Sequence, residues 1–118
     1  MNRHADVTAL LPLGARPFHI LLTLADGDRH GYSISKEIEE ATAGAIRLGP
    51  GTLYGLLKQM VVDGWIAEAR SGAEDDPRRR TYRLTPRGRR IAQAEAERLA
   101  DLVRVARSRR LLPAGAAV

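Results

Sequence analysis

Residues 48–64 read Leu-Gly-Pro-Gly-Thr-Leu-Tyr-Gly-Leu-Leu-Lys-Gln-Met-Val-Val-Asp-Gly. Leu53, Leu56, Leu57, Met60 and Val61 recur at helical spacing and define one apolar stripe. Gly49-Pro50-Gly51 is expected to be a turn, with Thr52 capping a helix over about Leu53 to Asp63 and Gly64 stopping it. The outward side of that helix carries Thr52, Gly55, Gln59 and Lys58, with Tyr54 at its edge. Such a face can lie against base edges and hydrogen-bond them, and Gly55 lets the backbone come close to a groove wall. A plain surface helix could carry the same residues, so the neighbouring elements decide.

Working backwards, Pro17 to Ala25 predicts a first helix, apolar on most sides, that ends at Asp26-Gly27-Asp28. A second helix is expected from Tyr32 to Thr42, with Ile34, Ile38 and Ala41 on one face. A short extended piece, Ala45 to Leu48, leads into the turn. Working forwards, Trp65 to Arg70 and Arg79 to Leu84 read as two strands joined by a polar loop, Ser71 to Pro77. Trp65 follows a helix-ending glycine on a strand that must pack, so burial in the core is favoured over a ligand-stacking role. Thr85-Pro86 caps and opens a long helix, expected to reach Leu112.

The order is helix, helix, helix, strand, loop, strand, long helix. It predicts a mainly α fold with a small β-hairpin, a winged helix-turn-helix followed by a long C-terminal dimerisation helix. The expected divisions are a flexible N-terminal arm over 1–16, a DNA-binding domain over 17–85, a dimerisation helix over 86–112 and a tail over 113–118.

The hairpin bears Arg78-Arg79-Arg80 where its tip turns into the second strand, with Glu74, Asp75 and Asp76 segregated into the loop. Guanidinium groups there can reach phosphates or a minor groove. The long helix carries Ile91, Leu99, Leu102, Val103 and Ala106 as an apolar stripe, interrupted at Glu95. A core this small cannot cover a helix that long, so the stripe is expected to bury against a second copy.

The 118 residues suit a single domain, with 44% hydrophobic and 28% charged residues. The net charge is +5, and nearly all cations are arginine, with Lys36 and Lys58 the only lysines. Arginine grips phosphate or guanine through a two-pronged fork. The absence of cysteine excludes disulfides, thiolate metal sites and cysteine nucleophiles. His4, His19 and His30 are scattered and have no metal-ligand spacing or carboxylate pairs beside them, so neither an enzyme nor a metal site is expected. No apolar stretch approaches the roughly 20 residues of a membrane span. With no secretory pattern at the start, a cytoplasmic location is expected.

Three stretches then resemble one family. Ala25-Asp-Gly-Asp-Arg-His-Gly-Tyr-Ser-Ile, Leu48-Gly-Pro-Gly-Thr-Leu-Tyr-Gly-Leu-Leu and Arg79-Arg-Thr-Tyr-Arg-Leu-Thr-Pro-Arg-Gly are similar to the PadR family of transcription regulators. The resemblance spans about residues 17 to 110. It implies a homodimer on double-stranded DNA, usually a repressor that reads a palindromic operator and leaves it when a small-molecule inducer binds. It puts Thr52, Tyr54 and Lys58 on the recognition helix and Arg78 to Arg80 on the wing. It places Tyr32 at the start of the second helix, in a structural or phosphate-facing role. The single helix after the wing resembles the short subfamily, which lacks the longer effector domain. The rival reading is a dimeric winged helix that binds another protein and not DNA.

Overall fold

The structure is a computed structural model and describes residues 7–69 and 79–114. Helix α1 (Ala15–Leu24) starts ahead of the expected Pro17. The first amides of a helix have no intrahelical partner, so a proline within the first turn removes no bond. Phe18 N accordingly donates to Gly14 O at 3.1 Å and closes the first turn. Ile20, Leu21 and Leu24 are the buried face of α1.

The two-residue strand β1 (Arg29–His30) leads directly into α2 (Gly31–Ala41), which buries Ile34 and Ile38. Ala41, expected on the same face, is exposed. The chain leaves α2 through two left-handed residues, Ala43 (φ 51°) and Gly44 (φ 83°), and Gly44 N reaches back to Glu39 O at 2.8 Å. The Thr42 hydroxyl ties the exit down by donating to Ile38 O at 2.8 Å and accepting from Ile46 N at 3.0 Å.

Helix α3 (Pro50–Val62) is capped by Gly49 and not by Thr52. Pro50 takes the first helical position, where its fixed φ fits and its missing N–H costs nothing. Thr52 is therefore inside the first turn, exposed on its surface. Leu53, Leu57 and Met60 are buried, and Leu56 and Val61 pack against the core from the edges. Gly64 (φ 78°) ends the helix, with Gly64 N on Val61 O at 3.0 Å and Trp65 N on Met60 O at 2.9 Å. This paired closure uses up carbonyls that the last turn would leave orphaned.

Strands β2 (Ile66–Ala69) and β3 (Thr81–Leu84) form the hairpin, with Ile66 opposite Leu84 and Glu68 opposite Tyr82. β3 also pairs with β1, Arg29 opposite Tyr82 and His30 opposite Thr81, giving a three-stranded antiparallel sheet in the order β1-β3-β2. The expected hairpin is thus larger by one strand. The polar loop, with its acidic cluster and Arg78, lies outside the described residues.

Helix α4 (Pro86–Ser108) is capped by Thr85, whose hydroxyl accepts from Gly88 N at 3.0 Å. It stops short of Leu112 because Arg110 turns left-handed (φ 66°), and Leu111 N returns to Ala106 O at 2.9 Å. The N-terminal half of α4 is part of the core: Ile91 is 0% exposed and Glu95 2%. Part of the expected flexible arm is docked there. Val7 is buried, Leu11 and Leu13 pack on the core, and Leu13 N donates to Glu95 Oε2 at 2.8 Å. Arg98 donates to both oxygens of the same carboxylate. Trp65, expected in the core on the first strand, stands one residue ahead of β2 and is half-buried against the core.

Candidate nucleic-acid interface

Helix α3 presents different chemistry on its two flanks and its outer face. Leu53, Leu57 and Met60 fix the inner face, so Gly51, Gly55, Lys58, Gln59 and Val62, all exposed, lie outward. Among the described residues, nothing beyond the helix's own backbone and the chain neighbours lies within 4 Å of a β-carbon placed at Gly51 or Gly55, so the outer face is open where the backbone is barest. The Gln59 carboxamide donates to Asp63 Oδ1 at 3.0 Å, which pre-sets its orientation one turn from the helix end.

Tyr54, Lys58 and Val61, spaced at i, i+4 and i+7, make the flank facing the sheet. Together with Val62, Glu68, Arg80 and Tyr82 they line a groove of about 410 Å³ between α3 and the hairpin. Of the expected site residues, the structure thus brings Tyr54, Lys58 and Arg80 together. Tyr54 is half-buried and packs against the core, so only its edge is available. Arg80 Nη1 is 3.3 Å from Glu68 Oε1 across the hairpin. Burial, with the nearby Glu68 carboxylate second, pushes the Tyr82 phenol above its ordinary pKa and keeps it neutral.

Thr52 and Leu56 form the opposite flank and line a separate cleft with the α2–α3 loop and the start of α1.

The wing base is tied to the start of α2. Gly31 N donates to Arg80 O at 3.1 Å, and His30 Nδ1 donates to Arg79 O at 3.1 Å, with the Thr81 hydroxyl 3.3 Å from the same nitrogen. Tyr32, the next residue after Gly31, is 56% exposed, and Lys36 Nζ lies 5.4 Å from its ring centroid. Lys36 was not singled out from sequence. Its helical spacing from Tyr32 was visible, but the packing of β1 on β3 that brings this turn beside the wing was not.

The α4 stripe divides in two. Ile91, expected at a dimer interface, is enclosed by its own chain's core and has no surface to offer a second copy. Leu99 and Leu102 are exposed, joined by Val105, which the sequence reading omitted. Val103 and Ala106 are half-buried. Among the described residues no group of acidic or histidine side chains could hold a metal, and no helix is long and apolar enough to cross a membrane.

A trihelical unit whose third helix is open to solvent, with a β-hairpin at its flank and a long helix after it, is a winged helix-turn-helix of the DNA-binding kind. The PadR-like family of transcriptional regulators matches residues 20–94, and the chain belongs to that family. It is 34% identical over 86 residues to the transcriptional regulator Rv3488 of Mycobacterium tuberculosis, covering 73% of this chain and 77% of that protein. It is 39% identical over 83 residues to an uncharacterized 37.1 kDa protein of transposon TN4556 from Streptomyces fradiae. That match covers 70% of this chain but only 22% of the longer protein. Among solved structures, a PadR family regulator from Clostridium difficile R20291 superposes with a TM-score of 0.66 at 26% identity, covering 80% of this chain and 97% of that one. Bacillus subtilis PadR in complex with operator DNA shares the fold, with a TM-score of 0.59 at 23% identity over 75% of this chain and 48% of that one.

Proposed function

We propose that this regulator is a sequence-specific homodimer that places α3 in the major groove of a palindromic operator, as a repressor released by a small-molecule inducer. The carrying observation is the open outer face of α3, where Gly51 and Gly55 leave the backbone unshielded between polar side chains. In this reading Thr52, Lys58 and Gln59 face base edges, and Gly55 permits close approach. Tyr54 sits at the groove wall. Tyr32, Arg78, Arg79 and Arg80 serve the phosphate backbone. Leu99, Leu102, Val103 and Ala106 supply the dimer contact. Bacillus subtilis PadR, a protein of the same fold, is known in complex with operator DNA, which supports an operator as the partner. The inducer rests on family resemblance, and the cytoplasm is the proposed location.

The test is duplex binding by the whole chain across a salt series, followed by footprinting on DNA upstream of its own gene. Several phosphate contacts make log affinity fall steeply and linearly with log salt. A protected, two-fold symmetric segment is expected. Salt-insensitive binding, or none, would favour the protein-interaction module instead.

A further inference from the structure

The cleft on the flank of α3 away from the hairpin has a volume of about 660 Å³. Gly14, Ala15, Arg16 and Pro17 at the start of α1 form one wall, residues 44–47 of the α2–α3 loop form another, and Thr52 and Leu56 of α3 form the third. Two cations stand on its rim. Arg16 is exposed and enters no hydrogen bond or ion pair among the described residues. Arg47 is held in place: its Nη2 lies over Gly44, 3.1 Å from where a β-carbon would stand, and its Nε is 3.3 Å from Glu39 Oε1. The Arg47 side chain is nevertheless 74% exposed, so most of its fork faces solvent. An ion pair this exposed contributes little and is readily exchanged for a stronger anion.

A helix about 10–12 Å across fills a major groove about 12 Å wide, so a phosphate strand borders each of its flanks. On the hairpin flank of α3, Arg80 is the cation offered to one strand. The other flank offers Arg16 and Arg47 to the other.

We infer that Arg16 and Arg47 form a second phosphodiester seat, gripping the DNA strand on the side of α3 opposite the wing. The inference rests on the major-groove placement proposed above and adds the contact that the wing cannot make. Arg47 supplies an oriented fork, and Arg16 a cation free to follow the backbone. Neither reads sequence, so both act equally on operator and non-operator DNA.

The experiment compares wild type with the double variant Arg16→Ala/Arg47→Ala, measuring duplex affinity between about 50 and 200 mM salt. The DNA upstream of the gene and a random-sequence duplex are both used. Each lost phosphate contact flattens the log–log slope by about 0.9, so a decrease of about 1.8 per bound subunit is expected, similar on both duplexes. The melting temperature should stay unchanged, and Arg16→Lys/Arg47→Lys should recover most of the slope. A double variant with the wild-type slope would overturn the seat while leaving the DNA-binding reading intact. A wild type with no salt-dependent binding would remove that reading and the seat with it. Inorganic phosphate, titrated at constant ionic strength, separates the remaining source of the same chemistry. Stabilisation of wild type but not of the double variant, with equal DNA slopes, would mark a free-anion site and overturn the strand contact.

Discussion

A side chain at Gly88 would place its β-carbon 1.9 Å from the carbonyl oxygen of Trp65. That oxygen already accepts from Thr85 N at 3.2 Å and from the Thr85 hydroxyl at 2.9 Å, so it has no freedom to retreat. The glycine in the Thr-Pro-Arg-Gly stretch therefore lets the first turn of α4 lie on the α3–β2 junction. Gly88→Ala should cost at least about 1–3 kcal/mol as an overpacking defect against backbone, read from urea denaturation. A loss below about half a kcal/mol would show that the turn can shift. Glu95 gives a second prediction at the same scale. The hydrogen-bonded Arg98 guanidinium and the Leu13 amide hold its carboxyl below the usual 4.5 in spite of burial. A depressed folded pKa means stability that is present above 4.5 and lost as the pH falls through that value towards the folded one. Glu95→Gln should be less stable than wild type at neutral pH, and the gap should close on acidification below 4.5. A gap independent of pH would assign the loss to shape and not to charge.

At the scale of elements, α3 and the wing form one device, and the wing's share can be separated. Truncating Arg80 gives up its half-exposed pair with Glu68, worth about 0–1 kcal/mol, and its side-chain contact with the Tyr82 phenol, while Arg79 is exposed. Arg79→Ala/Arg80→Ala should therefore fold normally and flatten the salt slope of duplex binding by up to about 1.8 per bound subunit. An unchanged slope would take both arginines off the phosphates. The core side of this device was readable in advance, because Leu53, Leu57 and Met60 obey helical periodicity and their burial follows from it. The start of α3 was misplaced, because Thr52 is a good cap and Pro50-Gly51 resembles a turn, whereas a proline at the first position of a helix satisfies both rules. Strand β1 was invisible for another reason: two residues carry no period, and Arg29 and His30 become a strand only by pairing with β3. Glu95 looked like a flaw in a stripe because its backbone partner, Leu13, is 82 residues away. Periodicity shows which residues share a face, and long-range contacts decide what covers it.

That distinction decides the whole molecule. The radius of gyration is 15.8 Å, against about 13.5 Å for a compact chain of this length, with extents of 53 × 40 × 22 Å. At 1.5 Å per residue α4 is about 35 Å long. Its first half closes the core through Ile91 and Ala94, while Leu99, Leu102 and Val105 beyond them remain exposed. On α1, which packs beside α4, Leu22 is exposed too. A dimer through the second half of α4 would cover this surface without disturbing the part that belongs to the core. Leu102, 53% exposed, is the position that separates the two roles. Leu102→Glu should leave the fold and melting cooperativity intact and shift the mass in light scattering from dimer to monomer. Affinity for a two-half-site duplex should then fall towards that for a single half-site, because the second contact loses its tether. A variant that stays dimeric would move the interface off this stripe, leaving the exposed apolar surface of α1 as the next place to look.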